Sequence, residues 1–337
     1  MRDPGGVPSV EEDGVIQADN RSSMFRLEIL AAESLGARGL CCKVTAGKRR
    51  ILIDPGIALG YRRHGLYPHP FQVAVGVTLR RKILAALGDA TDVVLSHAHG
   101  DHVPLADANP FQMALDDAVD GLRGKPIWGP DLRDLAGAMR ERLEAIARAA
   151  NTPVLAANGR KAGILSFSQP MPHGEPESHL GTVIMTRIEV GDTVFVHASD
   201  IQLLQRDAID RIVSWSPTVV LVGGPPLYLA QLSDEARSEA WRNALRLANH
   251  VPTLIVDHHL LRSAEGIRWL DALAAESPNR VVCAADSMNT SRRMLEAWRR
   301  RLYREIPVRE GWHREYALGK ADTSGFEAWD GLDASVV

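Results

Sequence analysis

Apolar and polar positions alternate from Phe25 to Leu30 with the period of two that marks a half-buried strand. Residues 1–23 before it carry no such pattern and read as a flexible lead-in to a domain spanning 24–337. Two more strands follow, over 39–46 and 51–53, separated by the turn Gly47-Lys48-Arg49, so the domain opens as a β-meander. The period then lengthens. Residues 77–87 read as a helix and 91–95 as a buried strand, and 132–149 form a helix whose Leu135, Met139, Leu143 and Ile146 share one side. Residues 104–130, with Trp128 and several Gly and Pro, show no sustained period and read as an irregular insertion.

Strands are predicted at 163–168, 182–190 and 193–197, the last two joined as a hairpin by Gly191-Asp192. From Arg206 onward helix and strand alternate: a helix to Trp215, a strand at 218–222, then a helix capped by Ser233 that buries Trp241, Leu245 and Ala248. A strand at 253–256, a helix at 264–274, a strand at 280–284 and a helix at 291–303 complete the series. A β-rich start followed by strand–helix alternation predicts an α/β fold.

Composition narrows the function classes. The 337 residues are 45% hydrophobic, enough to build a substantial core, and the formal net charge of −3 offers no field for nucleic acid or a membrane surface. The cluster Arg299-Arg300-Arg301 reads as a solvated helix face. No apolar run approaches the roughly 20 residues of a membrane span, and Glu11, Glu12 and Asp13 break the order of a signal peptide. A cytoplasmic enzyme acting on a small-molecule substrate is the expectation. Cys41, Cys42 and Cys283 form neither a disulfide framework nor a zinc ribbon and read as core filler, with Cys283 the one placed to act as a thiolate.

The chemistry concentrates in Ser96-His97-Ala98-His99-Gly100-Asp101-His102, a loop leaving the buried run Val93-Val94-Leu95. His97 and His99, two residues apart on an extended segment, face the same way and can share one ion. Asp101 and His102 diverge, so one of them can turn to a second ion. Further ligands stand at later strand ends: His173 in Pro172-His173-Gly174, with His179 as its rival; Asp200, whose two oxygens can bridge two ions; and His258, with His259, whose ring should point the other way, as the fallback. His197 reads as packed. Asp54, just past Ile51-Leu52-Ile53, can hold a ligating histidine in one tautomer. The loop 58–70 concentrates aromatics and cations, and its Tyr61, Arg62 and His64 are the candidates for binding an anionic substrate.

The pattern His97-x-His99-x-Asp101-His102 after a buried strand, preceded by an acid and followed by His, Asp and His at successive strand ends, resembles the metallo-β-lactamase fold superfamily over about residues 24–290. More narrowly, Glu33-Ser34-Leu35-Gly36, Asp54-Pro55-Gly56, Ala198-Ser199-Asp200-Ile201-Gln202, Gly223-Gly224-Pro225-Pro226 and Asp257-His258-His259-Leu260-Leu261-Arg262 look like a subfamily of functionally unassigned metallohydrolases. The resemblance implies an αββα sandwich of two mixed sheets flanked by helices, with the metals at one edge. It also implies a hydrolase that activates water on two divalent ions, zinc first, with iron or manganese as alternatives. His97, His99, Asp101, His102, His173, Asp200 and His258 would hold them, Asp101 positioning the attacking water. An iron-dependent oxidoreductase of dioxygenase type and a non-catalytic metal-binding protein are the competing readings.

Overall fold

The computed structural model describes residues 25–175 and 179–326, together with the strands Ser9–Val10 and Ile16–Ala18. These two strands extend the first sheet, and the rest of the expected lead-in lies outside the described residues. Eight strands form that sheet in sequence order: Ser9–Val10, Ile16–Ala18, Phe25–Ala31, Cys41–Ala46, Arg49–Ile53, Asp92–Val94, Ile127–Gly129 and Val154–Ala156. Its first five strands pair antiparallel and its last three join in parallel. The second sheet orders Arg280–Val282, Thr253–Val256, Val219–Val222, Thr193–Ser199, Thr186–Val190, Leu165–Phe167 and Lys161–Ala162, and its first four strands run parallel.

Alternation along each strand divides the apolar residues between two cores. Phe25, Leu27, Ile51, Ile53 and Val94 of the first sheet meet Phe167, Phe195, Val219, Leu221 and Ile255 of the second. Leu52, Val93, Val196, Val220, Val222, Leu254 and Val256 point outward and are covered by helices. The result is an αββα sandwich of two mixed sheets. No helix among the described residues is long and apolar enough to cross a membrane.

Several elements differ from the sequence reading. The helix expected at 132–149 is a single turn at Leu132–Asp134 followed by a helix over Gly137–Ala150, and the strand expected at 182–190 is broken into Thr182–Val183 and Thr186–Val190. The helix after Ser233 buries Ala244, Leu247 and Ala248 while Trp241 and Leu245 stay half-buried. Three further elements change more. The helix expected at 77–87 begins at Pro70, where His69 accepts from the Phe71 amide and proline occupies the first turn, a position where its missing N–H costs nothing. Residues 70–76 are buried all round, which erases the 3.6-residue signal. The insertion 104–130 contains the helix Leu115–Leu122 and the strand Ile127–Gly129; two turns burying Leu115, Ala118 and Leu122 are too short for the period to stand out. The helix expected at 291–303 is reduced to Arg299–Glu305, and Arg299 is fully buried rather than solvated. Its guanidinium donates to the carbonyls of Gly60 and Leu66 and to Gln72, fastening the 58–69 loop from below. The three cysteines are buried and free, and burial pushes their thiols up, as core filler requires.

Candidate metal centre

Every strand-end residue singled out for metal binding lies on one edge of the sandwich, where the parallel strands of both sheets end. Asp54 follows Arg49–Ile53, the histidine loop follows Asp92–Val94, Asp200 follows Thr193–Ser199, and His258 and His259 follow Thr253–Val256. Two glycines let the backbone close around the loop. A Cβ on Gly56 would lie 2.3 Å from the backbone of His102 and Val103, and one on Gly39, at φ +123°, would lie 2.6 Å from the Asp101 carbonyl oxygen.

Asp54, fully buried, organises the loop. Its Oδ1 accepts from the Ser96 amide at 2.7 Å; its Oδ2 accepts from the Ser96 hydroxyl at 2.6 Å, the Ser199 hydroxyl at 2.9 Å and His102 Nδ1 at 2.9 Å. Because the Ser96 hydroxyl gives its proton to Asp54, its oxygen is left to accept from His97 Nδ1, 2.9 Å away. One carboxylate thus puts the proton of His97 on Nδ1, leaving its Nε2 lone pair facing inward, and holds His102 by Nδ1 with Nε2 turned inward to Asp200. Burial opposes ionisation of Asp54, but the hydrogen bond and charge of His102 outweigh it and hold the carboxyl at about 2. Asp54→Ala is expected to weaken metal binding about 10–100-fold, read by competition with a chelator.

The inward lone pairs converge. His97, His99, His173 and Asp200 each place a ligand atom within 4.8 Å of the others, and so do Asp101, His102 and His258, and Asp200, His258 and His259. Asp200 stands between the sets. Its Oδ2 lies 3.0 Å from His173 Nε2, 3.0 Å from His259 Nε2 and 3.6 Å from His97 Nε2; its Oδ1 lies 2.9 Å from His102 Nε2 and 3.4 Å from His258 Nε2. Gln202 sets its side-chain amide 3.2 Å from His173 Nδ1. His179, the rival to His173, is exposed, and His197 is packed with Nε2 against the Leu40 carbonyl at 2.8 Å.

The donor set suits a divalent ion. Buried His97 Nε2 and His259 Nδ1 have no hydrogen-bond partner, an arrangement that a polar interior does not tolerate without something to bind them. Burial, helped by the neighbouring rings, lowers His97 and takes His99 to about 3, and burial with the charge of Arg262 takes His258 to about 4, so these imidazoles keep a lone pair at neutral pH. Burial also works against the charges of Asp101 and Asp200, but His102 and His258 hold both well below the usual carboxylate range. His102 is driven the other way. Burial would lower it, yet Asp200 and Asp54 raise it well above its ordinary value, a positive charge between two acids. Neutral imidazoles with carboxylates are ligands shared by zinc, iron and manganese.

His258 and His259 both turn towards Asp200, against the expectation that adjacent residues diverge. His258 is in the left-handed region at φ +53°, which breaks the alternation of an extended strand and brings the two ring centroids within 4.5 Å. Asp257 fixes this turn, accepting from the amides of Ser34, His258 and Ala284. His258 Nδ1 accepts from the Gly39 amide at 3.1 Å, and beside the ring stands Arg262, a residue to which composition assigned no role.

The substrate loop is placed unevenly. Tyr61, 52% exposed, packs on Tyr67 and Phe111; Arg62 donates to the Tyr67 hydroxyl at 2.8 Å and stacks on its ring; His64 is exposed. Arg63, between them, is the one that turns inward. It donates to the Arg262 carbonyl at 3.0 Å and lies 4.5 Å over the Tyr228 ring, whose hydroxyl accepts from Arg262 at 3.2 Å. The Arg63–Leu66 backbone pairing of this turn sets neighbouring side chains on opposite sides.

No family model matches the chain. A UPF0282 protein of Methanosarcina mazei is 46% identical over 302 residues, covering 90% of this chain and 99% of the relative. One from Thermococcus onnurineus is 34% identical over 295 residues, covering 83% and 95%. Among solved structures, the metallo-β-lactamase fold protein YhfI from Bacillus subtilis aligns with a TM-score of 0.47 and 16% identity, over 76% of this chain and 95% of its own.

Proposed function

The chain belongs to the UPF0282 family, and we propose that it is a hydrolase that uses two divalent ions, zinc first, on a small anionic substrate. The observation that carries this reading is Asp200, buried, with each oxygen turned to a different set of histidines. His97, His99 and His173 would hold one ion, Asp101, His102 and His258 the other, with Asp200 between them and His259 beside the first. Bound ions would supply activation of water and polarisation of the attacked bond.

The remaining tasks fall to side chains. Asp101 is an anion at neutral pH and, unlike Asp200, is partly exposed, so it can accept a hydrogen bond from an attacking water and steer it. Asp54, through Ser96 and His102, keeps the ligand rings from rotating. Arg63, stacked on Tyr228, would meet an anionic substrate on the inner side of the loop, with Tyr61, Arg62 and His64 on the outer side.

Protein purified without added metal and never exposed to a chelator should contain at least one ion per chain by elemental analysis, rising towards two when divalent metal is supplied. It should hydrolyse one class in a panel of esters, thioesters, lactones and phosphoesters, losing that activity to a chelator and regaining it with metal. A content well below one ion per chain, or full metal retention in His97→Ala, would overturn the proposal.

A further inference from the structure

The geometry points to Arg262 as a built-in cation occupying the second ion's corner, which must withdraw towards Glu33 before that ion binds; this rests on the two-ion reading above. Arg262 is 4% exposed and ends the short turn Leu260–Arg262 that follows the histidine pair. Its Nη2 lies 2.8 Å from His258 Nε2 and 3.4 Å from Asp101 Oδ2, two of the three groups in the second set. A guanidinium stays charged at any physiological pH. A divalent ion shared by those atoms would therefore bind a few ångströms from a fixed positive charge, in a setting where water does little to screen the repulsion.

His258 itself is not free to coordinate in this arrangement. Its Nδ1 faces the Gly39 amide and its Nε2 faces Arg262 Nη2, both of them donors, and a neutral imidazole has one lone pair to offer them, so neither nitrogen is spare for an ion while Arg262 stands there. The contrast with His97, in the first set, is direct, since Asp54 through Ser96 sets its proton on Nδ1 and leaves Nε2 without a partner. The first set is prepared for an ion, and the second is held closed.

The place to which Arg262 can move is also built in. Glu33 is fully buried, and neither of its oxygens has a hydrogen-bond partner. Arg262 Nε faces it at 3.4 Å and is likewise without one. A guanidinium and a carboxyl left this close with the hydrogen bond unmade are an unused interaction inside the protein. Rotation of the guanidinium about its Tyr228 contact would complete that bond and release Asp101 and His258 together. Burial and Glu296 push the Glu33 carboxyl up to about 8 as it stands, so it gains most from an approaching cation. The two ions should then bind unequally, the second depending on Arg262 and Glu33, neither of which is a ligand.

The test is a titration of the metal-free full-length protein with zinc against a competing chelator, with cobalt(II) visible spectra to separate the two sites. Removing the charge in Arg262→Gln should tighten the second ion by at least about tenfold and leave the first unchanged, while Glu33→Gln should loosen the second by about tenfold. Thermal melts of the metal-free variants check folding; if Arg262→Gln does not fold, the near-isosteric Glu33→Gln decides alone. A wild type that takes one ion beside an Arg262→Gln variant that takes two would equally support the inference. Two ions bound with unchanged second-site affinity in both variants would overturn the inference and leave the two-ion reading standing. One ion only, in wild type and variants alike, would overturn both.

Discussion

Asp200→Ala is expected to empty both halves of the centre at once and to lower turnover by about a thousandfold or more, the loss that several kcal/mol of transition-state stabilisation implies. Among the described residues no other side chain has oxygens directed to both sets of histidines. Loss of a ligand on one side, as in His97→Ala, leaves the other set intact, whereas loss of Asp200 removes a donor from each. The metal-free protein should report the same change through stability. Asp200 has its carboxyl depressed by His102 and His258, so its contribution is fully present above its unfolded pKa near 3.8 and is lost as pH falls. His102 is raised by Asp200 and Asp54, so its contribution is fully present below its unfolded pKa near 6.5 and is lost as pH rises. The stability difference between metal-free wild type and Asp200→Ala, about 3–5 kcal/mol for one partner of a buried pair, should therefore peak between about pH 4 and pH 6.5. Denaturant unfolding at several pH values measures it. A difference that does not fall on either side of that window would remove the His102–Asp200 pair from the account.

The histidine loop was legible because its information is local. Few residue types bind metals, their spacing within 96–102 is fixed by the chain, and a strand end tells which way they face. Asp54, Asp200 and His258 followed from the same rule applied at other strand ends. Arg262, Glu33, Ser96 and Arg63 did not, because their places depend on which segments the fold brings together. Glu33 meets Arg262 across more than two hundred residues of sequence. Arg62 and Arg63 are indistinguishable by composition, and a two-residue pairing in one turn decides which faces the centre. His259 was ranked behind His258 on strand alternation, a rule that lapses where the backbone turns left-handed. The fold shows the same division. Alternating strands and amphipathic helices could be read directly, whereas the first turns of Pro70–Asp89 are buried on every side and carry no period.

Asp101→Asn is expected to separate chemistry from folding. Asparagine keeps the shape of the side chain but removes the charge that would take a hydrogen bond, and then a proton, from the attacking water; loss of such a group costs about 10²–10⁴ in turnover. Folding should change little. Asp101 is partly exposed, and its ion pairs with His258 and Arg262, at 3.5 and 3.4 Å, are long. The substitution should lower kcat far more than it raises KM, because in this reading the side chain would meet the attacking water rather than the substrate. A role confined to holding metal would instead be rescued by raising the zinc concentration, which should not restore Asp101→Asn fully. Run in heavy-oxygen water, the wild-type reaction should place one solvent oxygen in the product. The residual reaction of Asp101→Asn should do the same, since the nucleophile is unchanged and only its positioning is lost. Product without the label, formed with consumption of dioxygen, would overturn hydrolysis and assign these histidines and acids to an iron-dependent oxidation.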